Sequence, residues 1–220
     1  MDEFDEIGNA KTVLMDCELA AQNALEIVFP EWSVRSCSFH FAKNVLDYAK
    51  NNGLSETLEN SEFAVWTKEI LGCIFLPELY MNEVFAYLLD SPPFNDKHVK
   101  KFVKYLRNYW SKKLHKLCVW ENNYPRTTNI AEGYNNGLQT SFEHETHPAF
   151  RKAFDVHVDD LNKNAYDYLR LQDGVDRLCL RKPIARKVDE NLMEARIKLA
   201  DYLTKLHEND DTISIEDLLQ

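Results

Sequence analysis

The sequence predicts a mostly helical chain that opens with two short strands. Three observations carry that reading. Thr12-Val13-Leu14-Met15 is a short apolar run, preceded by the turn formers Gly8 and Asn9 and ended by Asp16, which is the pattern of a buried strand. Trp32 to Cys37 alternates enough to form a second strand. From Ser61 onward the apolar residues recur at helical spacing and no further strand is predicted. Two strands are too few for a self-contained sheet, so this layout predicts a fragment of a larger α/β core.

The helices follow in order. Glu18 to Val28 carries Leu19, Ala20, Ala24, Leu25 and Val28 on one side, and Pro30 closes it. Phe39 to Asn51 stops at Asn52-Gly53. Ser61 to Phe75 starts at a capping Ser and carries Phe63, Val65, Trp66 and Ile70. Glu78 to Leu89 follows Pro77 and ends before Pro92-Pro93. Asp96 to Trp110 is amphipathic through Val99, Phe102, Val103, Leu106 and Trp110. Thr128 caps a helix to Phe142, Pro148 opens a long one to Leu171, and Lys187 to His207 forms the last.

Composition bounds the function. Hydrophobic residues make up 45% of the 220, enough for a sizeable core. The longest apolar runs are broken by Pro77 and Glu78, well short of the roughly 18 uncharged residues a membrane span needs, so no membrane partner is expected. Met1-Asp2-Glu3-Phe4-Asp5-Glu6 is acidic where a secretory leader is basic and then apolar. Five scattered cysteines, Cys17, Cys37, Cys73, Cys118 and Cys179, argue for a reducing compartment over a disulfide framework.

The net charge of −10 opposes nucleic-acid binding if taken as a mean, but the charge is unevenly spread. Residues 1–31 hold eight acids and one base, Lys11, and the tail after Glu208 is acidic as well. Lys97 to Lys116 holds eight Lys or Arg residues and no acid, interleaved with Tyr105, Tyr109 and Trp110. Cations among aromatics suit a phosphate backbone and unstacked bases. The same segment also reads as an ordinary amphipathic helix with a solvated face.

Three further constellations could carry chemistry. Asp16, at a strand end with a helix next, is a common position for a metal-binding carboxylate, and equally for a residue that caps the helix. Cys37-Ser38-Phe39-His40 could supply half a zinc site, or be a buried Cys beside a locally hydrogen-bonded His; Cys17, Cys73, Cys118 and His115 offer no matching second pair. In Arg126-Thr127-Thr128-Asn129-Ile130-Ala131-Glu132-Gly133, the residues Asn129, Glu132 and Asn136 share one helix face, and Arg126 before it could hold a phosphate.

In this order these segments resemble the second half of a Mutator-like DNA transposase domain: strand-Asp, Phe29-Pro30, Cys-x-x-His, Gly53-Leu54, Phe75-Leu76-Pro77, a Trp-rich stretch, Arg-Thr-x-Asn-x-x-Glu-Gly, then His147-Pro148 opening a long helix. The similarity runs from about Val13 to Phe154. It implies an α/β ancestry, a partial ribonuclease H-like core at 1–54, a helical insertion at 55–124, the catalytic-glutamate helix and its successor at 125–172, and a helical extension with an acidic tail at 173–220. It implies that Asp16 and Glu132 are two of three carboxylates holding Mg²⁺ or Mn²⁺ for DNA cleavage and strand transfer. DNA contacts would fall to Arg126, Lys100, Lys101, Lys104, Arg107, Lys112 and Lys113, in the nucleus. Arg181-Lys182-Pro183 to Arg186-Lys187 is a weak localisation signal. Self-association into a homo-oligomer is open. The family's first Asp has no counterpart on a strand before Asp16, so the expectation is a fragment without cutting activity of its own. The alternative is a non-catalytic DNA- or protein-binding protein.

Overall fold

The structure is a computed structural model that describes residues 12–59, 61–120, 126–174 and 183–208. The acidic segment before Thr12, Cys179, the Arg181-Lys182 pair and the tail after Glu208 lie outside the described residues. The chain forms two compact units, one reaching to Thr128 and the other beginning at Asn129.

The first unit opens with β1 (Thr12–Met15), α1 (Leu19–Val28) and β2 (Ser33–Ser36). The strands pair in parallel, with Thr12 opposite Ser33 and Met15 opposite Ser36. A parallel pair needs a crossover, and α1 supplies it. The expectation of a buried first strand is corrected: Thr12 is exposed and Val13, Leu14 and Met15 are half-buried. A parallel strand is buried on both faces only in a wider, covered sheet. The helix α1 follows suit, with Ile27 80% and Val28 64% exposed.

α2 (Ser38–Ala49) begins the true core. Phe41, Val45 and Ala49 recur every four residues, so they line one face, and all three are fully buried. They join Phe63, Trp66 and Ile70 of α3 (Ser61–Gly72), Met81, Val84, Phe85, Leu88 and Leu89 of α4 (Glu78–Asp90), and Val99 and Phe102 of α5 (Lys97–Tyr105) in one cluster. The apolar stripe runs on through Leu106, Trp110, Leu114 and Leu117, where the helix loosens into a wide turn over Leu106–Trp110 and a tight one over Ser111–Lys116. α2 thus shares this cluster with the helices that follow.

The two buried indole N–H groups are matched, whereas the buried Thr67 hydroxyl has no hydrogen-bond partner among the described residues. Trp66 Nε1 donates to the Leu88 carbonyl at 2.8 Å, and Trp110 Nε1 donates to the Tyr105 hydroxyl at 2.9 Å. Asp96 caps α5 by accepting the N–H groups of His98 and Val99.

Among the described residues, the second unit holds three helices: α6 (Asn129–Ser141), α7 (Phe150–Gln172) and α8 (Pro183–Glu208). Ala149 is the residue that caps α7, so Pro148 stands before the helix and not in its first turn. Between α6 and α7, Glu143 and His144 take positive φ, and Lys152 pairs with Glu143 at 2.8 Å and Glu145 at 3.3 Å. No described side chain of α7 is buried, and Phe150 is 85% exposed. In α8 only Leu203 is buried among the described side chains.

The wide turn Lys50–Leu54 that continues α2 breaks at Gly53, whose φ of +83° suits glycine. The His98 ring is packed against it, and its Nδ1 donates to the Asn52 carbonyl at 2.8 Å. A Cβ on residue 53 would lie 2.8 Å from His98 Nδ1. Gly53→Ala is therefore expected to destabilise the chain by on the order of 1–3 kcal/mol in urea unfolding. Adding His98→Ala should recover part of that loss, because the clash goes while the φ strain stays. An unchanged unfolding midpoint in Gly53→Ala would refute the close approach.

Candidate nucleic-acid interface

At the carboxyl ends of the two strands, the chain brings three segments side by side. Cys37 N–H donates to the Met15 carbonyl at 2.7 Å and extends the β1–β2 ladder. Successive N–H groups along extended backbone point to opposite sides. Ser38 N–H accordingly turns away from β1 and donates to the Arg126 carbonyl at 3.0 Å, and the Ser38 hydroxyl donates to the same oxygen at 2.9 Å. Residues 126–128 thus flank β2 on the side opposite β1. Ligand sites of open α/β sheets lie at this end of the strands.

The motifs meet here. Thr128 N–H donates to Cys37 Sγ at 3.4 Å, and the Thr128 hydroxyl lies 3.5 Å from His40 Nδ1. Cys37 is fully buried. Arg126 has its guanidinium carbon 5.9 Å from the centre of the Phe75 ring.

Asp16 is exposed, and its Oδ1 accepts the Glu18 N–H at 3.0 Å. The residue that caps α1 is Glu18, so the expected capping role of Asp16 is a turn one step earlier. Gln22, unmarked in the sequence, holds this corner together. It is 2% exposed, and its Nε2 donates to the Asp16 carbonyl at 2.7 Å and to Ser36 Oγ at 2.9 Å. The same helix carries Asn23 and Glu26, so no signal in the sequence singles Gln22 out.

Glu132 sits half-buried in the first turn of α6, with Asn129 and Asn136 exposed. Asp16 and Glu132 belong to different units. Among the described residues, no group of three or more His, Cys, Asp or Glu side chains comes together to hold a metal ion. A two-metal phosphoryl-transfer centre needs such a set, and no catalytic step is assigned to Asp16 and Glu132.

The basic run has a clear geometry. Lys97, Lys100, Lys101 and Lys104 recur at three- and four-residue spacing along α5 and are all exposed, opposite the buried Val99 and Phe102. None makes an ion pair among the described residues, and neither does Lys112. The expectation for the other cations changes. Arg107 is tied to Asp90 at 2.7 Å, and Lys116, outside the predicted set, to Glu26 at 2.6 Å. Lys113 rests 3.3 Å above the Tyr109 ring.

The interleaved aromatics are held mainly by contacts within the chain. Tyr105 stacks on Tyr48 at 3.7 Å, and Tyr109 is held between Tyr105 at 5.8 Å and the Lys113 ammonium. Trp110 is 1% exposed. Tyr105 and Trp110 pack against Tyr48 and Phe41 of α2, whereas Tyr109 stays 39% exposed beneath Lys113.

No protein-family model, curated protein or solved structure matches the chain. No described helix is long and apolar enough to cross a membrane.

Burial pushes the Cys17 thiol up to about 12; the nearby Cys37 and Asp16 add to the shift and Lys113 opposes it. A thiol so raised stays protonated at pH 8, and only the thiolate alkylates quickly. Iodoacetamide at that pH should leave Cys17 unmodified in the folded chain and label it in denaturant, read by peptide mass spectrometry. Rapid native labelling would contradict this environment.

Proposed function

We propose that the chain derives from a Mutator-like DNA transposase and acts, as this sequence stands, by binding the DNA backbone. The observation that carries this is the four-lysine face of α5, solvent-exposed and without an ion pair among the described residues, in a chain whose net charge is −10. Selective clustering of cations against an acidic mean is what a phosphate-binding face requires. Arg126, held by its carbonyl at the strand ends, and Lys112 extend the set of contacts. The ordered motifs from Val13 to Phe154 support the lineage, and nuclear location and a DNA partner follow from it.

A second reading keeps the ancestral chemistry, DNA cleavage and strand transfer with Mg²⁺ or Mn²⁺. It is favoured by the exposed Asp16 carboxylate at a strand end. The two readings separate in one assay series. Metal-dependent cleavage lost in both Asp16→Ala and Glu132→Ala would favour the second, whereas binding indifferent to both substitutions favours the first.

Fluorescence anisotropy with a short duplex tests the binding. Affinity should fall linearly with salt on logarithmic axes, with a slope of about −0.9 for each phosphate neutralised. Replacing Lys100, Lys101 and Lys104 together by Ala should flatten the slope by roughly 2–3. Failure of the chain to bind at about 50 mM salt, where backbone contacts are strongest, would reject the proposal.

A further inference from the structure

We infer that Cys37 and His40 are positioning residues that latch residues 126–128 to the end of β2 and so set where Arg126 presents its charge. This rests on the reading that Arg126 meets a DNA phosphate. Cys37 is the residue that caps α2, yet its side chain makes no capping bond to its own helix. The sulfur instead accepts the Thr128 N–H. His40 lies three residues on, where helical spacing puts it on the same side as Cys37. Its Nδ1 faces the hydroxyl of the same threonine.

The Cys-x-x-His spacing thus addresses one residue twice, through its main chain and through its side chain. Ser38, between them, gives two donors to the Arg126 carbonyl. One turn of helix grips a segment 88 residues away in sequence. Sulfur is a weak acceptor, and the 3.5 Å contact to imidazole is long, so neither bond stabilises the fold strongly. Their directions fix the path of the backbone between Arg126 and Thr128, and hence the origin of the arginine side chain. A cysteine and a histidine at this spacing would otherwise suggest half a zinc site, but no third ligand gathers among the described residues.

The test uses the full chain with His40→Ala, His40→Asn, Thr128→Val and Arg126→Ala. Asparagine can put a polar atom near the place of Nδ1, so it serves as the conservative rescue. His40→Ala and Thr128→Val should each weaken duplex binding by about threefold to tenfold. Each should remove about one phosphate's worth of salt slope, as Arg126→Ala does, and add nothing when combined with it. His40→Asn should restore both values, and the Thr128 amide should exchange faster in His40→Ala than in the wild-type chain.

If Arg126→Ala flattens the slope and His40→Ala does not, the latch is wrong and the DNA reading stands. If no variant and not the parent chain binds DNA, the DNA reading fails. The latch is then judged by Thr128 exchange and by stability. Non-additive losses in His40→Ala and Thr128→Val keep it, and additive losses overturn it. One zinc ion per chain, lost on Cys37→Ser, would overturn it as well.

Discussion

Phe41 and Trp110 meet edge to face at 4.7 Å, both buried, one on the helix that follows the second strand and the other within the basic run, in the wide turn after α5. Aromatic pairs of this geometry add stability beyond the area they bury. This contact joins the strand end to the cationic helix, and other features of the first unit ride on it. Arg35 of β2 can reach the His115 carbonyl at 2.7 Å, and Lys116 can reach Glu26, because Trp110 brings that turn back to the strands. Deleting a ring from such a pair would leave a cavity in the middle of the unit.

The rings that stabilise this junction are the same ones that looked free to meet bases. Tyr48, Tyr105 and Tyr109 form a file of stacked rings closed by an ammonium. Tyr109 carries the Lys113 ammonium over its ring and stacks beside Tyr105. What is left for a partner on this helix is charge. Sequence specificity in DNA recognition is read at base edges or through DNA shape, whereas lysines on a solvated face contact phosphate.

Much of the first unit was legible in the sequence because burial there is periodic. Phe41, Val45 and Ala49 mark a helix face by spacing alone, as do Val99, Phe102 and Leu106. The end of α2 at Asn52-Gly53 was legible too, since glycine is the residue that takes a positive φ without strain. Pairings over long separations were not. Nothing local in Ser38 says that it bonds Arg126, and nothing in Gln22 says that it is buried between Asp16 and Ser36. The half-burial of β1 was also hidden, because an apolar run looks the same whether one or both faces are covered. Of the site, the motifs were visible as separate strings; their meeting at Thr128 required the fold.

The lysine face has a consequence for approach at a distance. At low ionic strength, where the screening length reaches about 30 Å at 0.01 M salt, the net charge of −10 repels an anion well away from the surface. Close to α5 the local field counts more, and there it is positive. Attraction is thus short in range and confined to one orientation. Raising the ionic strength shrinks both effects, the long-range repulsion first, so modest salt eases encounter before higher salt erodes the contact itself.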